Sequence, residues 1–294
     1  MQFRQLEYFV ALAREQHFAR AAAACFVSQP ALSEAIRKLE RELGVPLVRR
    51  GSSFEGLTPE GERLVLSARR ILAERDSLEH EAATLHTGLT GELRLGVIPA
   101  ATTVVADLVD PFCDAHPLVR LRIESALRSD DIVDRLRRFE LDAGILYTHG
   151  VDTSGLVCRP LYDEEHVLVI GDGLGPARVE SMSWPEITDL PMCLLRKGMR
   201  GRDRIDEVAA SQGVTITPRL EADAISTLLA LVARGGWASI VPRAWVRRRG
   251  EQTPYHVVDL DDPELSGHVA FVRVDVDPAP VLVKALEQVG FGTR

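Results

Sequence analysis

The 294-residue sequence has only four cysteines, and they are scattered without a CxxC pair. That spacing argues against a disulfide framework and against a zinc site, and it indicates a reducing cytoplasm. No apolar run reaches the roughly 18 residues of a membrane span. The first residues, MQFRQLEYF, also lack the basic start and the apolar stretch of a signal peptide. We therefore expect a cytoplasmic protein with no membrane partner.

The sequence also lacks the motifs of common enzyme active sites. It contains no GxSxG, no GxxxxGK[ST] phosphate loop, no HExxH and no paired metal ligands, and its eight histidines are dispersed. We expect no catalytic residues, no metal and no bound cofactor. An enzyme built on other residues and a solute-binding protein are the alternatives to the function developed below.

The net charge of −8 is unevenly distributed along the chain. Residues 1–61 contain eight Arg/Lys and seven Asp/Glu, a net charge of +1, so the remainder carries −9. The length allows two or three domains. A net charge of +1 on residues 1–61 attracts nucleic acid only weakly. Any affinity for nucleic acid therefore depends on local phosphate contacts and on several copies of the chain.

Residues 18–43, FARAAAACFVSQPALSEAIRKLEREL, predict two helices joined by a tight turn at residues 26–28. Ser28 is a good N-cap for the second helix, and Pro30 is tolerated in its first turn. Apolar residues at helical spacing predict the buried face of that helix: Ala31, Leu32, Ala35, Ile36 and Leu39. A preceding helix at residues 2–15 presents a second apolar face: Phe3, Leu6, Phe9, Val10 and Ala13.

The opposite face of the second helix carries Gln29, Ser33 and Arg37, which are four residues apart and form one row. Such a row on an exposed helix is typical of the recognition helix of a helix-turn-helix, which lies in the DNA major groove. A buried helical hairpin is the alternative. We expect this row to read bases, while Arg20 and Arg50 hold phosphate. The expected DNA-binding residues are Ser28, Gln29, Pro30, Ser33, Glu34, Arg37, Arg20, Arg50 and Ser52.

Basic residues follow this helix pair between two short β-like segments. Leu47-Val48 predicts a strand and residues 56–58 predict its return, with RRGSS at residues 49–53 between them. The pattern is typical of a β-hairpin wing whose arginines meet phosphate or a minor groove. A solvated basic loop explains the same residues equally well.

A long helix is predicted from Thr58-Pro59-Glu60 to about Leu85, since threonine caps, proline fits the first position and glutamate suits the first turn. A row of residues seven apart follows one side of it, with Ala68 and Ala82 between its members: Leu64, Ile71, Leu78 and Leu85. This seam favours a linker helix that dimerises. The alternative is a helix that lies on the downstream domain.

After the glycine-rich hinge at residues 87–91, strands and helices alternate. We expect strands at 93–98, 118–124 and 142–147, with helices at 102–115 and 130–138, which is typical of a parallel α/β sheet. Further strands are expected at 166–170, 192–195, 217–221, 238–241 and 268–274, and further helices at 202–212, 224–234 and 279–289. The last strand and helix complete a first lobe, into which residues 162–265 are inserted as a second lobe.

Motifs in this order resemble the LysR-type transcriptional regulators over essentially the full length. They are LEYFVALA, HFARAAAACFVSQPALSEAIRKLERELGVPL, GLTPEGERL, GELRLGVIPA, ELDAGIL and ARGGWASIVP. The resemblance implies a winged helix-turn-helix, a linker helix that pairs two subunits, and an effector domain of two α/β lobes resembling periplasmic binding proteins. It further implies a homotetramer on an interrupted palindrome of double-stranded DNA, a small-molecule co-inducer between the lobes, and RNA polymerase as a partner.

The expected boundaries follow from the motifs and the hinge. We expect the winged helix-turn-helix at 1–58, the linker helix at 59–88 and the effector domain at 89–294. Within the effector domain, lobe I covers about 92–161 and 266–294, and lobe II covers about 162–265. The sequence departs from the family where Leu127-Arg128 stands in place of a glycine followed by a small hydroxyl residue. Some members sense peroxide through a cysteine pair in lobe II, whereas Cys193 is alone there on a predicted buried strand.

The effector is expected at the carboxyl ends of strands, where open α/β lobes bind ligands. The strand ending at Ile98 leads into Thr102 and Thr103 at a predicted helix N-terminus, which suits an anion. The strand ending at Leu195 leads into the cationic loop RKGMRGR at residues 196–202. We therefore expect a small anionic metabolite, with a solvated surface run as the alternative for the loop. The expected effector-binding residues are Ala100, Ala101, Thr102, Thr103, Arg128, Arg196, Lys197, Gly198, Met199 and Arg200.

Overall fold

The protein divides into two compact units, Met1–Thr90 and Gly91–Arg294. The structure, a computed structural model, describes residues 1–50, 54–174, 180–246, 253–261 and 265–291. The first unit contains, in order, α1 (Phe3–Glu15), α2 (Phe18–Ala24), α3 (Gln29–Leu43), β1 (Val48–Arg50), β2 (Phe54–Leu57) and α4 (Pro59–Thr87). The predicted helix pair, hairpin and long helix are thereby confirmed as elements.

Side chains cap three of these helices, which is why the local sequence predicts their starts. The Nδ1 atom of His17 accepts from the Ala19 amide at the start of α2, at 3.1 Å. Ser28 caps α3 by accepting from Ala31, and Thr58 caps α4 by accepting from Gly61. The two strands β1 and β2 pair antiparallel as a hairpin.

The helices of the first unit share one apolar core, which differs from the predicted faces at two positions. Its fully buried members are Leu12, Ala21, Leu32, Ile36, Leu39 and Leu47. Ala31 is exposed, because it lies in the first turn of α3, and Phe3 is half exposed beneath the guanidinium of Arg75. Sequence periodicity assigned both residues to buried faces, and both assignments are wrong.

Among the described side chains of α4, those that pack on this core lie in the first half of the helix. Val65 and Ala68 are buried, and Leu64 and Ile71 are partly buried against the same cluster. Arg75, which interrupts the apolar row, pairs with Glu7 of α1. The linker helix therefore has a core along its first turns. Further on, Leu78 is 67% exposed and faces no core of its own unit; the side chain of Leu85 lies outside the described residues.

The second unit begins with alternating strands and helices and continues through shorter elements. In order these are β3 (Gly91–Val97), α5 (Val105–Ala115), β4 (Val119–Glu124), α6 (Ser129–Arg137), β5 (Ala143–Tyr147), β6 (Leu156–Gly171), β7 (Ser181–Met182), α7 (Trp184–Ile187), β8 (Cys193–Leu195), α8 (Arg200–Ser211), β9 (Leu220–Ala222), α9 (Ile225–Val232), β10 (Ala238–Pro242), β11 (Tyr255–Leu260), β12 (Ser266–Val274) and α10 (Val281–Phe291).

The main sheet is mixed, with the order β4-β3-β5-β12-β6-β11-β7 and with β10 also paired to β6. The predicted parallel order is correct for β3, β4 and β5. It is wrong for β12, which runs antiparallel to both β5 and β6. The strand β6 pairs with β12 along residues 156–165 and with β10 along 166–170. Sequence reasoning found only the apolar second half of β6.

We call lobe I the part built on β3, β4, β5 and β12, and lobe II the part built on β7 to β11; β6 runs through both. A separate parallel pair, β8 and β9, lies in lobe II. The predicted helix at 102–115 starts later than expected. Residues Pro99–Thr102 form a 3₁₀ turn and α5 begins only at Val105, so Thr102 is not at the N-terminus of an α-helix.

Candidate functional site

The exposed side of α3 presents the polar row predicted from the sequence. Gln29 and Arg37 are exposed and Ser33 is half-buried between them. Glu34 ties two arginines to this face, with Arg37 at 3.4 Å and Arg41 at 2.9 Å. These two arginines hold the pKa of the Glu34 carboxyl below its ordinary value. Arg41 continues the same row one turn beyond Arg37. The sequence analysis did not include it, because the row of residues expected to contact bases ended at Arg37.

Other expected DNA-binding residues already have partners within the first unit. Pro30 is exposed in the first turn of α3. The Ser28 hydroxyl caps that helix, and Arg20 donates to the Glu15 carbonyl oxygen at 2.7 Å. In the hairpin, Arg49 donates to the Leu57 carbonyl oxygen at 2.8 Å. The side chain of Arg50 and all of Ser52 lie outside the described residues.

A small cavity of about 20 Å³ lies between the two lobes of the second unit. That volume holds about one water molecule. Lobe I contributes the end of β3 and the start of α6, and lobe II contributes the end of β8 and the start of α8. The polar lining consists of Arg128, Ser129, Tyr147, His166 and Arg200, and the remainder is mostly apolar: Ile98, Leu127, Leu195, Met199, Ile205, Ile225 and Ile240.

Four of the expected effector residues line this cavity: Ala100, Arg128, Met199 and Arg200. Gly198 adjoins it, since its carbonyl oxygen accepts from Arg128. The others do not line it. Ala101 is buried in the core, Thr103 is exposed, and the Thr102 hydroxyl donates to the Pro99 carbonyl. Lys197 is exposed, and Arg196 is exposed 3.9 Å from Asp223.

Direct hydrogen bonds close the cleft across this cavity. Arg128 of lobe I donates to the Gly198 carbonyl of lobe II at 2.7 Å. In the opposite direction, Arg200 of lobe II donates to the Gly150 carbonyl at 2.5 Å. Trp245 of lobe II donates to the Ala100 carbonyl at 2.9 Å. Arg128 and Arg200, which we expected to bind an anion, therefore each donate a hydrogen bond to the facing lobe.

Three polar atoms at the cavity have no hydrogen-bond partner within the described part of the chain: Ser129 Oγ, His166 Nδ1 and Arg200 Nε. Ser129 is only 1% exposed. Buried polar atoms without partners are rare and costly, and these three belong to residues that line one cavity. Ser129 follows Leu127-Arg128 directly and lines the same cavity.

A buried acid lies beside the cavity on β6. Glu164 accepts hydrogen bonds from Tyr147 and, at 3.4 Å, from Tyr162, and the ring of His166 lies 3.4 Å away. Burial raises the pKa of the Glu164 carboxyl to about 7, although the tyrosine hydroxyls act in the opposite direction. Burial lowers the pKa of the His166 imidazole to about 4. Sequence reasoning missed both, because neither belongs to a local motif.

A second cavity of about 150 Å³ lies on the other side of this group. It shares Tyr147, His166 and Arg200 with the first cavity, and it is further lined by charged and imidazole side chains: His149, Asp203, Arg204, Glu207 and His268. In the ranges that the structure describes, no group of three His, Cys, Asp or Glu side chains is placed to hold a metal ion. No described helix is both long enough and apolar enough to cross a membrane.

The four cysteines lie in different surroundings and are all free. Cys193 is fully buried on β8, and its thiol donates to the Ala238 carbonyl oxygen at 3.5 Å. Burial raises the pKa of this thiol to about 11. Such a thiol carries little of the thiolate that reacts with oxidants. The expectation of a buried, structural Cys193 agrees with this placement.

Two family models match the chain. Residues 3–62 match the model described as the bacterial regulatory helix-turn-helix protein, lysR family, and residues 86–289 match the LysR substrate binding domain. The two matches together include the helix pair, the hairpin and both lobes.

Individual proteins are similar to the chain over most of their length. The "Probable hydrogen peroxide-inducible genes activator" of Streptomyces viridosporus is 37% identical over 249 residues, which cover 83% of this chain and 78% of that protein. The "Hydrogen peroxide-inducible genes activator" of Haemophilus influenzae is 29% identical over 273 residues, covering 92% and 90%. The solved structure of a full-length OxyR variant from Pseudomonas aeruginosa has 28% identity and a TM-score of 0.76, covering 99% of this chain and 94% of that one.

Proposed function

Because the chain belongs to the LysR family of DNA-binding transcriptional regulators, we propose that a small anionic effector enters the cleft between its lobes and changes its binding to DNA. Regulators of this family carry an effector-binding domain and are not enzymes. The alternatives of an enzyme and of a solute-binding protein without a DNA role are thereby set aside. The proposal concerns where the effector binds and what chemistry it has.

One observation carries this proposal: three residues that line the interlobe cavity each have a buried polar atom without a hydrogen-bond partner in the described structure. Ser129 Oγ and Arg200 Nε supply donors from opposite lobes, and the His166 ring supplies a nitrogen. A cationic donor and a hydroxyl together favour an oxygen-bearing anion. At about 20 Å³ the cavity is too small for a metabolite, so binding requires the lobes to part.

Thermal unfolding of the full-length chain tests the proposal. We expect at least one small carboxylate or inorganic anion to raise the melting temperature, because a ligand that binds only the folded state stabilises it. The same anion should change the affinity for the DNA upstream of the chain's own gene, measured by gel shift. If neutral compounds stabilise the protein while every anion leaves it unchanged, the anionic class is wrong.

The similar proteins named as hydrogen peroxide-inducible activators raise a second candidate signal. We propose that this chain does not respond through a thiol, because Cys193 is buried, protonated and hydrogen-bonded. Cys25 lies in the DNA-binding unit, and Cys158 is half-buried with a raised pKa. Operator affinity should be the same before and after treatment with hydrogen peroxide. Cys113 is exposed on α5. A change in operator affinity that disappears when any of the four cysteines is replaced by serine would overturn this view.

For DNA recognition we propose the roles expected from the row on α3. Gln29, Ser33 and Arg37 read base edges, with Pro30 and Glu34 beside them. Phosphate contacts come from Ser28, Arg20, Arg50 and Ser52. This face of α3 is largely exposed, and its polar row is not part of the apolar core, which supports the assignment.

The assembly and the domain boundaries are part of the same proposal. We place the winged helix-turn-helix at 1–58, the linker helix at 59–88 and the effector domain at 89–294. The exposed Leu78 on α4 supports pairing of two linker helices. Two such dimers form a homotetramer on an interrupted palindrome. This complex acts in the cytoplasm and has RNA polymerase as its further partner.

A further inference from the structure

Among the described residues, the guanidinium of Arg200 is held across the cleft through one nitrogen, Nη2. Nη2 donates to the Gly150 carbonyl at 2.5 Å and lies 3.2 and 3.3 Å from the two carboxylate oxygens of Asp130. Nε of the same group is buried and has no partner among the described residues. A carboxylate pairs best with arginine when its two oxygens face two nitrogens. Asp130 therefore satisfies Arg200 incompletely.

A second unsatisfied donor lies next to Asp130 in the chain. The Ser129 hydroxyl is buried and without a partner in the described structure, and it lines the same cavity as Arg200. The two donors belong to opposite lobes, so a ligand that accepts from both must lie between them. Their unmet hydrogen bonds cost free energy in the ligand-free protein. A ligand with two adjacent acceptor oxygens would remove that cost.

The rest of the cavity limits what such a ligand carries. Its remaining lining is mainly aliphatic, with Leu127 from lobe I and Ile205, Ile225 and Ile240 from lobe II. An apolar substituent suits these walls. A second charged group could meet only Arg128 and His166, and Arg128 already donates to the Gly198 carbonyl. A guanidinium edge can face two oxygens of a tetrahedral anion such as sulfate as well as those of a carboxylate, but the remaining sulfate oxygens would meet the aliphatic walls without donors.

We propose that the ligand is a small aliphatic monocarboxylate and that Asp130 is its internal competitor. The ligand's carboxylate takes Nε and Nη2 of Arg200 together with the Ser129 hydroxyl, and its apolar end lies among the aliphatic side chains. Asp130 then no longer contacts Arg200 on the facing lobe. The exchange of one carboxylate for another breaks the Asp130–Arg200 contact between the lobes. This inference rests on the proposed function and specifies the ligand of the same site.

Binding of propionate to the full-length chain tests the inference. The variants are Asp130→Asn and Asp131→Asn. Asp131 is the matched control, because it lies in the same first turn of α6 and is exposed. We expect Asp130→Asn to lower the Kd for propionate by about threefold to tenfold, which is the range of a partly exposed ion pair. Asp131→Asn should leave the Kd unchanged. Propionamide, the neutral isostere of propionate, should not bind to the wild type or to either variant.

Several results would overturn the inference. Equal propionate Kd values in wild type and Asp130→Asn would show that Asp130 does not compete. Equal binding of propionamide, or stronger binding of sulfate, would show that the ligand is not a monocarboxylate. A loss of folding in Asp130→Asn would move the test to Asp130→Ser, with the same expected decrease in Kd. No propionate binding in any variant would also overturn it.

Two further measurements separate this inference from the proposed function. Ser129→Ala should raise the Kd for propionate, because the buried hydroxyl donor proposed to bind the carboxylate is lost. If another anion stabilises the chain and changes operator binding while propionate does neither, the proposed function stands and the ligand class falls. If no anion of any class binds, both fall.

Discussion

Arg128 Nε lies 2.7 Å from the carbonyl oxygen of Gly198, and this hydrogen bond joins lobe I to lobe II. Gly198 has a φ of 83°, and a Cβ added there would lie 3.0 Å from the Arg128 guanidinium. Glycine therefore serves both the backbone turn and the close approach of the arginine. Together with the Arg200 and Trp245 contacts, this bond joins the two sides of the cleft.

Removal of this bond should loosen the cleft. We expect Arg128→Gln to speed amide exchange in residues 196–201 by about threefold to tenfold, since one charged hydrogen bond of modest strength is lost. Arg120→Gln, an exposed substitution on β4, is the matched control. Hydrogen exchange followed by mass spectrometry measures the effect. Unchanged exchange in Arg128→Gln would show that the bond does not hold the lobes together.

Glu164 and His166 should give opposite pH dependences that nearly cancel. The folded pKa of Glu164, about 7, lies above its ordinary 4.5, so its contribution to stability is lost as pH rises from 4.5 to 7. The folded pKa of His166, about 4, lies below its ordinary 6.5, so its contribution is lost as pH falls from 6.5 to 4. Replacing either residue should leave only the pH dependence of stability that the other residue contributes.

Relative to wild type, Glu164→Gln should gain stability as pH rises from 4.5 to 7, by about 3 kcal/mol at most. Relative to wild type, His166→Gln should lose a similar amount as pH rises from 4 to 6.5. Urea unfolding followed by tryptophan fluorescence measures both, and all three tryptophans, Trp184, Trp237 and Trp245, lie in the second unit. Parallel pH profiles for the two variants would contradict the opposed shifts.

DNA recognition should depend on Arg37 more than on its neighbour Lys38. Arg37→Ala should cost about 1–3 kcal/mol on the operator and relax specificity at one base pair, because a base-edge contact is lost. Lys38→Ala, exposed but outside the row, should weaken operator and random DNA alike. Fluorescence anisotropy on both DNAs measures this. Equal losses on operator and random DNA for Arg37→Ala would refute base reading.

Self-association should depend on the exposed part of α4. Leu78→Glu should weaken the dimer by at least about tenfold, because a charge would enter an apolar seam. Leu66→Glu is the control, since Leu66 is also exposed on α4 but stands outside the seven-residue row. Light scattering across a dilution series gives the molar mass. The same mass for wild type and Leu78→Glu at every concentration would exclude pairing through this seam.

The sequence predicts the first unit well because its signals are local. Ser28 and Thr58 cap the helices that they precede, and periodicity finds Leu32, Ile36 and Leu39 in the core. The same periodicity fails at Ala31 and Phe3, where the end of a helix lies beyond the core. Local patterns therefore identify elements better than they identify the margins of a buried face.

The cleft is less predictable because it is assembled from distant parts of the chain. Antiparallel pairing of β12 with β5 and β6 places Tyr147 against Glu164, and no local pattern signals that contact. From the sequence, Arg128 and the cationic loop at residues 196–202 were expected to bind a ligand. In the structure, Arg128 and Arg200 donate hydrogen bonds to the facing lobe. Ser129 follows the position that the family pattern indicated, and its missing partner is visible only in three dimensions.

The most direct test of an effector site in this cleft is the operator affinity of wild type and Arg200→Gln, measured by fluorescence anisotropy with and without the anion that most stabilises the wild-type protein. We expect that anion to change the wild-type Kd by about fivefold or more, which is the usual range of coupling between two sites. Arg200→Gln should bind the operator and show no change with the anion. A full response in Arg200→Gln would place the effector elsewhere and contradict the account.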